Sequence, residues 1–181
     1  MPSSDQPLTL KPFTTERLHC RLVELRDLNE IFAMYSREDV TRYLPYDTWQ
    51  SHHHAKEWWH KTQKRHNSGE ARQYAVQLNA NGSVIGSIIL FGFTAEPCAE
   101  LGYSLHSDYW GQGLMQEVLA ELIFRCHSEL KLKRMIARVA PSNLASQKLL
   151  ARLGFEEIDR CFENNEPEHV IELVNFEKLL L

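Results

Sequence analysis

The chain has little cysteine. Four of its 181 residues are cysteines, Cys20, Cys98, Cys126 and Cys161, and no two of them form a C-x-x-C pair. This excludes a disulfide-framed mini-domain and a thiolate zinc site, and it reads as separate idle thiols in a reducing, cytoplasmic compartment. Long apolar runs are missing too: no stretch approaches the roughly 18 residues that a membrane-spanning helix needs. The opening MPSSDQPLTLKPF has no charged start followed by an apolar stretch, so no secretion signal and no membrane partner is expected. Positive charge is not in excess. A net charge of −4 argues against direct nucleic-acid binding, which runs on phosphate neutralisation. With 8 glycines and 7 prolines there is no low-complexity tract or linker that would divide the chain.

What remains is an ordinary globular composition, 43% hydrophobic and 24% charged. A chain of this size buries about 70% of its unfolded surface and needs no metal or disulfide to fold. One domain over 1–181 is expected, with its core at about 15–178.

The hydrophobic pattern alternates between period 2 and period 3.6. Residues 18–25 (LHCRLVEL) predict a first strand. Helical spacing follows over 26–36, and Ser51 is placed to cap a second helix that ends near 66 at Asn67-Ser68-Gly69. Strands are predicted over 73–78 and 84–93, with an N-G hairpin turn at 79–82, and over 99–105. A loop at 109–113 opens a helix running to about 127; a strand at 135–140 follows. Ser142 or Asn143 caps the next helix, which stops at Gly154. Residues 155–162 and 169–176 read as a final strand pair. The order β-α-α-β-β-β-α-β-α-β-β predicts an α/β (α+β) domain: a mixed, mostly antiparallel sheet with helices on its faces.

The stretch LGYSLHSDYWGQGLMQEVLAEL (101–122) carries the most chemistry. A strand enters a loop with two glycines, and the loop runs straight into an amphipathic helix. Glycines allow close backbone approach, and the helix start offers unpaired N–H groups and a positive dipole end, which together make an anion site. It is not a P-loop, because no Lys-Ser or Lys-Thr follows Gly113. A dinucleotide fingerprint needs a third glycine where Gln116 stands, and an early parallel unit. The glycine pair alone does not separate an anion loop from a tight turn.

A second block lies further on: Asn143-Leu144-Ala145-Ser146, then Leu153-Gly154-Phe155. The two blocks together resemble the GNAT superfamily of acetyl-CoA-dependent N-acetyltransferases, whose marks are a [Q/R]-x-x-G-x-[G/A] loop and an N-x-x-[S/A]…L-G-F helix. With ERLHCRLVEL, AELGYSL and YWGQG, the chain is similar to the Rim-type ribosomal-protein N-terminal acetyltransferases over about 15–178. Two positions depart from the pattern: Trp110 stands where many members carry Arg, and Met115 where Gly or Ala is usual.

The resemblance implies a GNAT-like fold with acetyl-CoA as co-substrate. Its pyrophosphate is expected on the backbone N–H groups of Trp110, Gly111, Gln112, Gly113, Leu114, Met115 and Gln116. Its pantetheine arm is expected beside Tyr103, Ser104 and Leu105, in a slot opened by splay from the 135–140 strand, with Asn143 as a further contact. An N–H near 101–103 is expected to hold the thioester oxygen. Glu100 is the implied general base, direct or through water. Ser146 is the implied acid, because the position that holds a catalytic Tyr in many members is Leu150 here. The implied acceptor is a protein N-terminal α-amine, such as that of a ribosomal protein. At pH 7 about a tenth of α-amines are neutral, against a few lysines in ten thousand, so a modest base suffices. The alternatives are a small-amine acetyltransferase (amino acid, polyamine or antibiotic) and a non-catalytic acyl-CoA-sensing module. A monomer or homodimer is expected.

The run His52-His53-His54 with His60 is not H-E-x-x-H, and no metal is expected. Trp58 and Trp59 are expected in the core or partly exposed. One of them, with Tyr43 or Tyr46, is expected along the acceptor cleft. Phe91 and Phe93 read as core.

Overall fold

The computed structural model describes residues 9–92, 97–165 and 169–180. Its strands are β1 (Phe13–Thr14), β2 (Leu18–Leu22), β3 (Ala71–Leu78), β4 (Val84–Gly92), β5 (Cys98–Leu105), β6 (Arg134–Val139), β7 (Glu156–Asn165) and β8 (His169–Leu179). Its α-helices are α1 (Leu28–Tyr35), α2 (Glu38–Thr41), α3 (His52–Ser68), α4 (Leu114–Ser128) and α5 (Leu144–Arg152). All strands join one sheet in the order β1-β2-β3-β4-β5-β6-β8-β7. Every neighbouring pair is antiparallel except β5 with β6. This is the expected mixed, mostly antiparallel sheet, with the β5-α4-β6 unit supplying its parallel step.

Helices cover both faces. On one, Leu114, Val118, Leu119 and Leu122 of α4 and Leu150 of α5 pack with Leu101, Met135 and Val174. On the other, Ile31, Met34 and Tyr35 of α1 and Ala55 of α3 pack with Val23, Trp49 and Ala75. Trp58 and Trp59 lie half-buried against this second cluster, as the sequence suggested.

Differences from the sequence reading fall on short elements. Two residues of β1 and four of α2 carry no measurable period. The first strand stops at Leu22, and residues Leu25–Asp27 form a 3-10 turn before α1. Ser51 has the extended conformation of an N-cap, but its side chain makes no capping bond. Gly69 and Gly154 do end their helices, with φ of 78° and 81°. Phe91 is half-buried beneath the Arg65 guanidinium, 5.0 Å from its ring centre, rather than in the core. Phe93 and residues 94–96 lie outside the described residues. Among the described residues, no helix is long and apolar enough to cross a membrane.

Candidate active site

The β5–β6 ladder is short. It pairs Cys98 with Arg134, Ala99 with Met135 and Glu100 with Ile136, and then ends, although β5 continues to Leu105 and β6 to Val139. Beyond Glu100 one edge of β5 has no strand partner. The His106 N–H donates to the Ile85 carbonyl at 2.8 Å. Alternation along an antiparallel ladder then turns the backbone groups of Ser104 and Gly102 toward β4, and those of Leu105 and Tyr103 toward the open edge; the Leu101 N–H closes the last rung of the β5–β6 ladder with Ile136. Backbone pairing expected of Tyr103, Ser104 and Leu105 is therefore available at Tyr103 but not at Ser104. The Leu105 carbonyl already accepts the Trp110 indole N–H at 2.8 Å.

At the end of β5 the chain makes a 3-10 turn, Ser107–Tyr109, and enters the glycine loop. Gly111 and Gly113 sit at φ 73° and 74°, a region that side-chain-bearing residues rarely adopt. The Trp110 N–H donates to the Ser107 carbonyl at 3.1 Å, so this amide is spent inside the turn and drops out of the expected donor set. The next backbone N–H with a backbone partner is that of Glu117, to the Gly113 carbonyl at 3.0 Å. Among the described residues, the amides from Gly111 to Gln116 have none, and four glycine-loop and helix-start positions, Gly111, Gln112, Gly113 and Gln116, are exposed or half-buried. Leu114 and Met115 send their side chains into the core, and as first-turn residues their amides have no intrahelical partner. Met115 thus costs the loop no donor. An array of unpaired N–H groups at a helix start fits a pyrophosphate.

The start of α5 lies on the same side of the sheet. The Asn143 side chain caps it, accepting from the Ser146 N–H at 3.2 Å. The Ser146 hydroxyl lies 2.7 Å from the Tyr103 phenol oxygen. Sequence reasoning missed that phenol, having used only the Tyr103 backbone; a Tyr on the helix-facing side of β5, opposite a Ser in the first turn of α5, was the available signal. Burial pushes the Tyr103 phenol up to about 12, against the downward pull of the Ser146 hydrogen bond. Leu150 is fully buried and donates nothing.

Glu100 points to the other face. Its carboxylate accepts two hydrogen bonds from Arg138, at 2.9 Å from Nε and 2.7 Å from Nη2. It lines a groove of about 490 Å³ with Arg134, Arg138, Ile158, Phe162 and Glu177. The Arg138 partner was not foreseen. A guanidinium fork holds the carboxylate in a fixed orientation.

On that face Tyr35, Tyr46, Trp49 and Trp58 form an aromatic cluster with ring centres 4.9 to 6.3 Å apart. The Tyr35 hydroxyl meets the Ser104 hydroxyl at 2.9 Å. Tyr43 reaches the start of α5, donating to the Ser142 carbonyl at 3.3 Å. The histidine run is dispersed: His52 stacks on Phe32 at 4.1 Å and His53 meets Glu57 at 3.2 Å. Among the described residues no group of three or more His, Cys, Asp or Glu is placed to hold a metal. Burial pushes the Cys20 and Cys126 thiols up to about 12, so both are inert.

The acetyltransferase (GNAT) domain model matches residues 17–156. The chain belongs to the GNAT acetyltransferase family. An N-acetyltransferase of Bacillus licheniformis, p20, whose role is uncharacterised, is 30% identical over 146 residues, covering 78% of this chain and 80% of that protein. The [ribosomal protein uS5]-alanine N-acetyltransferase of Escherichia coli K12 is 31% identical over 153 residues, covering 79% and 77%. Among solved structures, Mycobacterium smegmatis RimJ in complex with a CoA-disulfide superposes with a TM-score of 0.78 at 20% identity, over 96% of this chain and 88% of that one. Acetyl transfer to an amine is thus the chemistry of this GNAT chain, and its relatives include Rim-type enzymes.

Proposed function

We propose that this GNAT protein transfers acetyl from acetyl-CoA directly to a protein N-terminal α-amine, with a ribosomal protein as the preferred acceptor class. The observation that carries the reading is the gap between β5 and β6, which opens one residue past Glu100 and leads to the unpaired amides of the glycine loop.

The residues present fit coenzyme A. The amides from Gly111 to Gln116 take the pyrophosphate, and the open edge of β5 at Tyr103 takes the pantetheine arm as an added strand would. When bound, acetyl-CoA supplies the activated acyl group; the rest is done by this chain. Glu100 faces one side of the sheet and Ser146 the other. Glu100 accepts the proton of the attacking amine in the groove, while Ser146, backed by the Tyr103 phenol, donates a hydrogen bond where the thiolate leaves. The Tyr103 amide, at the open edge, would hold the thioester oxygen as it becomes negative. Cys161 also lines the groove, its thiol donating to Asn175 Oδ1 at 3.6 Å; the reading is direct transfer, without an acyl-cysteine.

The groove beside Glu100 is shallow, with apolar Ile158 and Phe162 exposed next to charged residues. That surface suits the first residues of a peptide better than an enclosed small amine.

The test is thiol release from acetyl-CoA with peptides beginning in Ser, Ala or Met, run beside spermidine and free amino acids. The expected result is strong release with one peptide N-terminus. Release only with small amines overturns the protein-acceptor reading. The double variant Glu100→Gln/Ser146→Ala should keep CoA binding and lose turnover; unchanged turnover would remove both residues from their roles.

A further inference from the structure

The anion loop is held from outside by a residue far away in sequence. Arg17 lies in the turn between β1 and β2, and its Nη1 donates to the Gln112 carbonyl at 3.0 Å. Its Nε donates to Glu117 Oε2 at 2.7 Å, and its backbone N–H donates to Glu117 Oε1 at 2.9 Å. The Thr15 hydroxyl donates to the same Oε1 at 2.6 Å. The turn itself is fixed by the β3–β4 hairpin: the Asn79 N–H donates to the Arg17 carbonyl at 2.9 Å, and its side-chain amide to the Thr15 and Glu16 carbonyls.

Two consequences follow from elementary geometry and charge. A trans peptide is planar, with its N–H opposite its C=O. Holding the Gln112 oxygen toward Arg17 sends the Gly113 N–H the other way, out of the loop. Glu117, in the first turn of α4, places a carboxylate close to where an anion would sit. Burial pushes that carboxyl up, but the hydrogen bonds from Thr15 and Arg17 outweigh it and hold it below its ordinary range, so it is charged. Arg17 is the cation that cancels it. The loop itself has none, since Trp110 stands where many GNAT members carry Arg.

We infer that Arg17 is a positioning residue for the pyrophosphate of acetyl-CoA, orienting the Gln112–Gly113 peptide and screening the Glu117 carboxylate from the bound anion. The inference rests on the acetyl-CoA reading above.

The experiment compares two acyl donors, acetyl-CoA and acetyl-pantetheine, which lacks the pyrophosphate. The wild-type protein should prefer acetyl-CoA strongly. Arg17→Met should lower that preference about tenfold, the size expected for a lost hydrogen bond to a charged group. The change should lie in KM for acetyl-CoA, with kcat within about twofold and acetyl-pantetheine kinetics unmoved. Arg17→Lys should fall between. Arg17→Met/Glu117→Gln should recover part of the loss, because the uncompensated carboxylate is gone. If Arg17→Met folds poorly, Arg17→Lys and Glu117→Gln carry the same donor comparison. An unchanged donor preference in the variants, or an equal loss with both donors, overturns the role of Arg17 and leaves the cofactor reading standing. A wild-type protein indifferent to the two donors overturns both.

Discussion

On the α4–α5 side of β5, the proposed cofactor site is assembled from backbone. Gly111 and Gly113 at positive φ and the start of α4 present amides whose positions follow from chain conformation alone. On the opposite side, around Glu100, the proposed acceptor site is assembled from side chains: a carboxylate gripped by Arg138 and a groove rimmed by Ile158 and Phe162. Backbone sites tolerate side-chain drift and fail when the backbone cannot adopt the required angles. Side-chain sites fail, or change specificity, with a single replacement. One protein can therefore keep a fixed donor while its acceptor varies.

The sharpest way to break this comparison is at Gly113. The space around it is open, with the nearest atom to an added Cβ, Arg17 Nη2, at 3.8 Å, so only the φ of 74° resists a side chain. Gly113→Val forces a β-branched residue into that region at a cost of about 1–3 kcal/mol, a loss of about five- to 150-fold in coenzyme A affinity. Calorimetric titration with CoA measures it. Undiminished binding would mean that the loop does not hold the cofactor by its backbone.

The same contrast explains what could be read in advance. The glycine pair, the capping Asn143 and the L-G-F stop are local signals tied to backbone conformation, and the structure places them as a loop, a cap and a helix end. Long elements with clear periodicity, such as β4, α4 and α3, were legible for the same reason. The Tyr103–Ser146 contact spans 43 residues, Glu100–Arg138 spans 38, and Arg17–Gln112 spans 95. Such pairs depend on strand order and helix placement, which periodicity does not encode. Trp110 misled for a different reason: a 3-10 turn consumed its amide, and turns of this length leave no pattern.

The next effect sharpens the comparison on the α4–α5 side, where two side chains do take part. If Tyr103 donates to Ser146 and so frees the serine hydrogen for the sulfur, the two act as one chain of hydrogen bonds. Tyr103→Phe and Ser146→Ala should each lower kcat about tenfold, and the double variant should lose little more than either single one. KM for acetyl-CoA should hold, since neither side chain serves the pyrophosphate. A full double-mutant cycle in kcat measures the coupling. Additive losses would show that the two hydroxyls work separately.

The smallest effect separates the two sides by pH. At the C-terminal end of α3, on the acceptor side, the Gln73 N–H donates to His66 Nε2 at 2.8 Å, which requires the neutral ring. Burial first, and then the nearby Arg72 charge, lower the His66 pKa below its ordinary value. A base whose folded pKa is depressed stabilises the fold above its unfolded pKa of about 6.5, and that contribution is lost as pH falls from there through the folded value. Glu117, on the cofactor side, is also depressed, but from a carboxylate value, so its contribution persists until the pH drops below about 4. Mild acid should therefore loosen the α3–β3 junction while the glycine loop keeps its clamp. Between pH 7 and pH 5, the protection of the Gln73 amide, taken relative to its intrinsic exchange rate, should fall and the melting temperature should drop slightly, while affinity for 3′-dephospho-CoA, which has no phosphate titrating in that range, stays level. His66→Gln keeps an acceptor for the Gln73 N–H and removes the titration, so it should flatten the exchange profile over that range. An affinity for 3′-dephospho-CoA that falls in step with Gln73 protection would mean that the two faces are coupled through the sheet and do not respond independently.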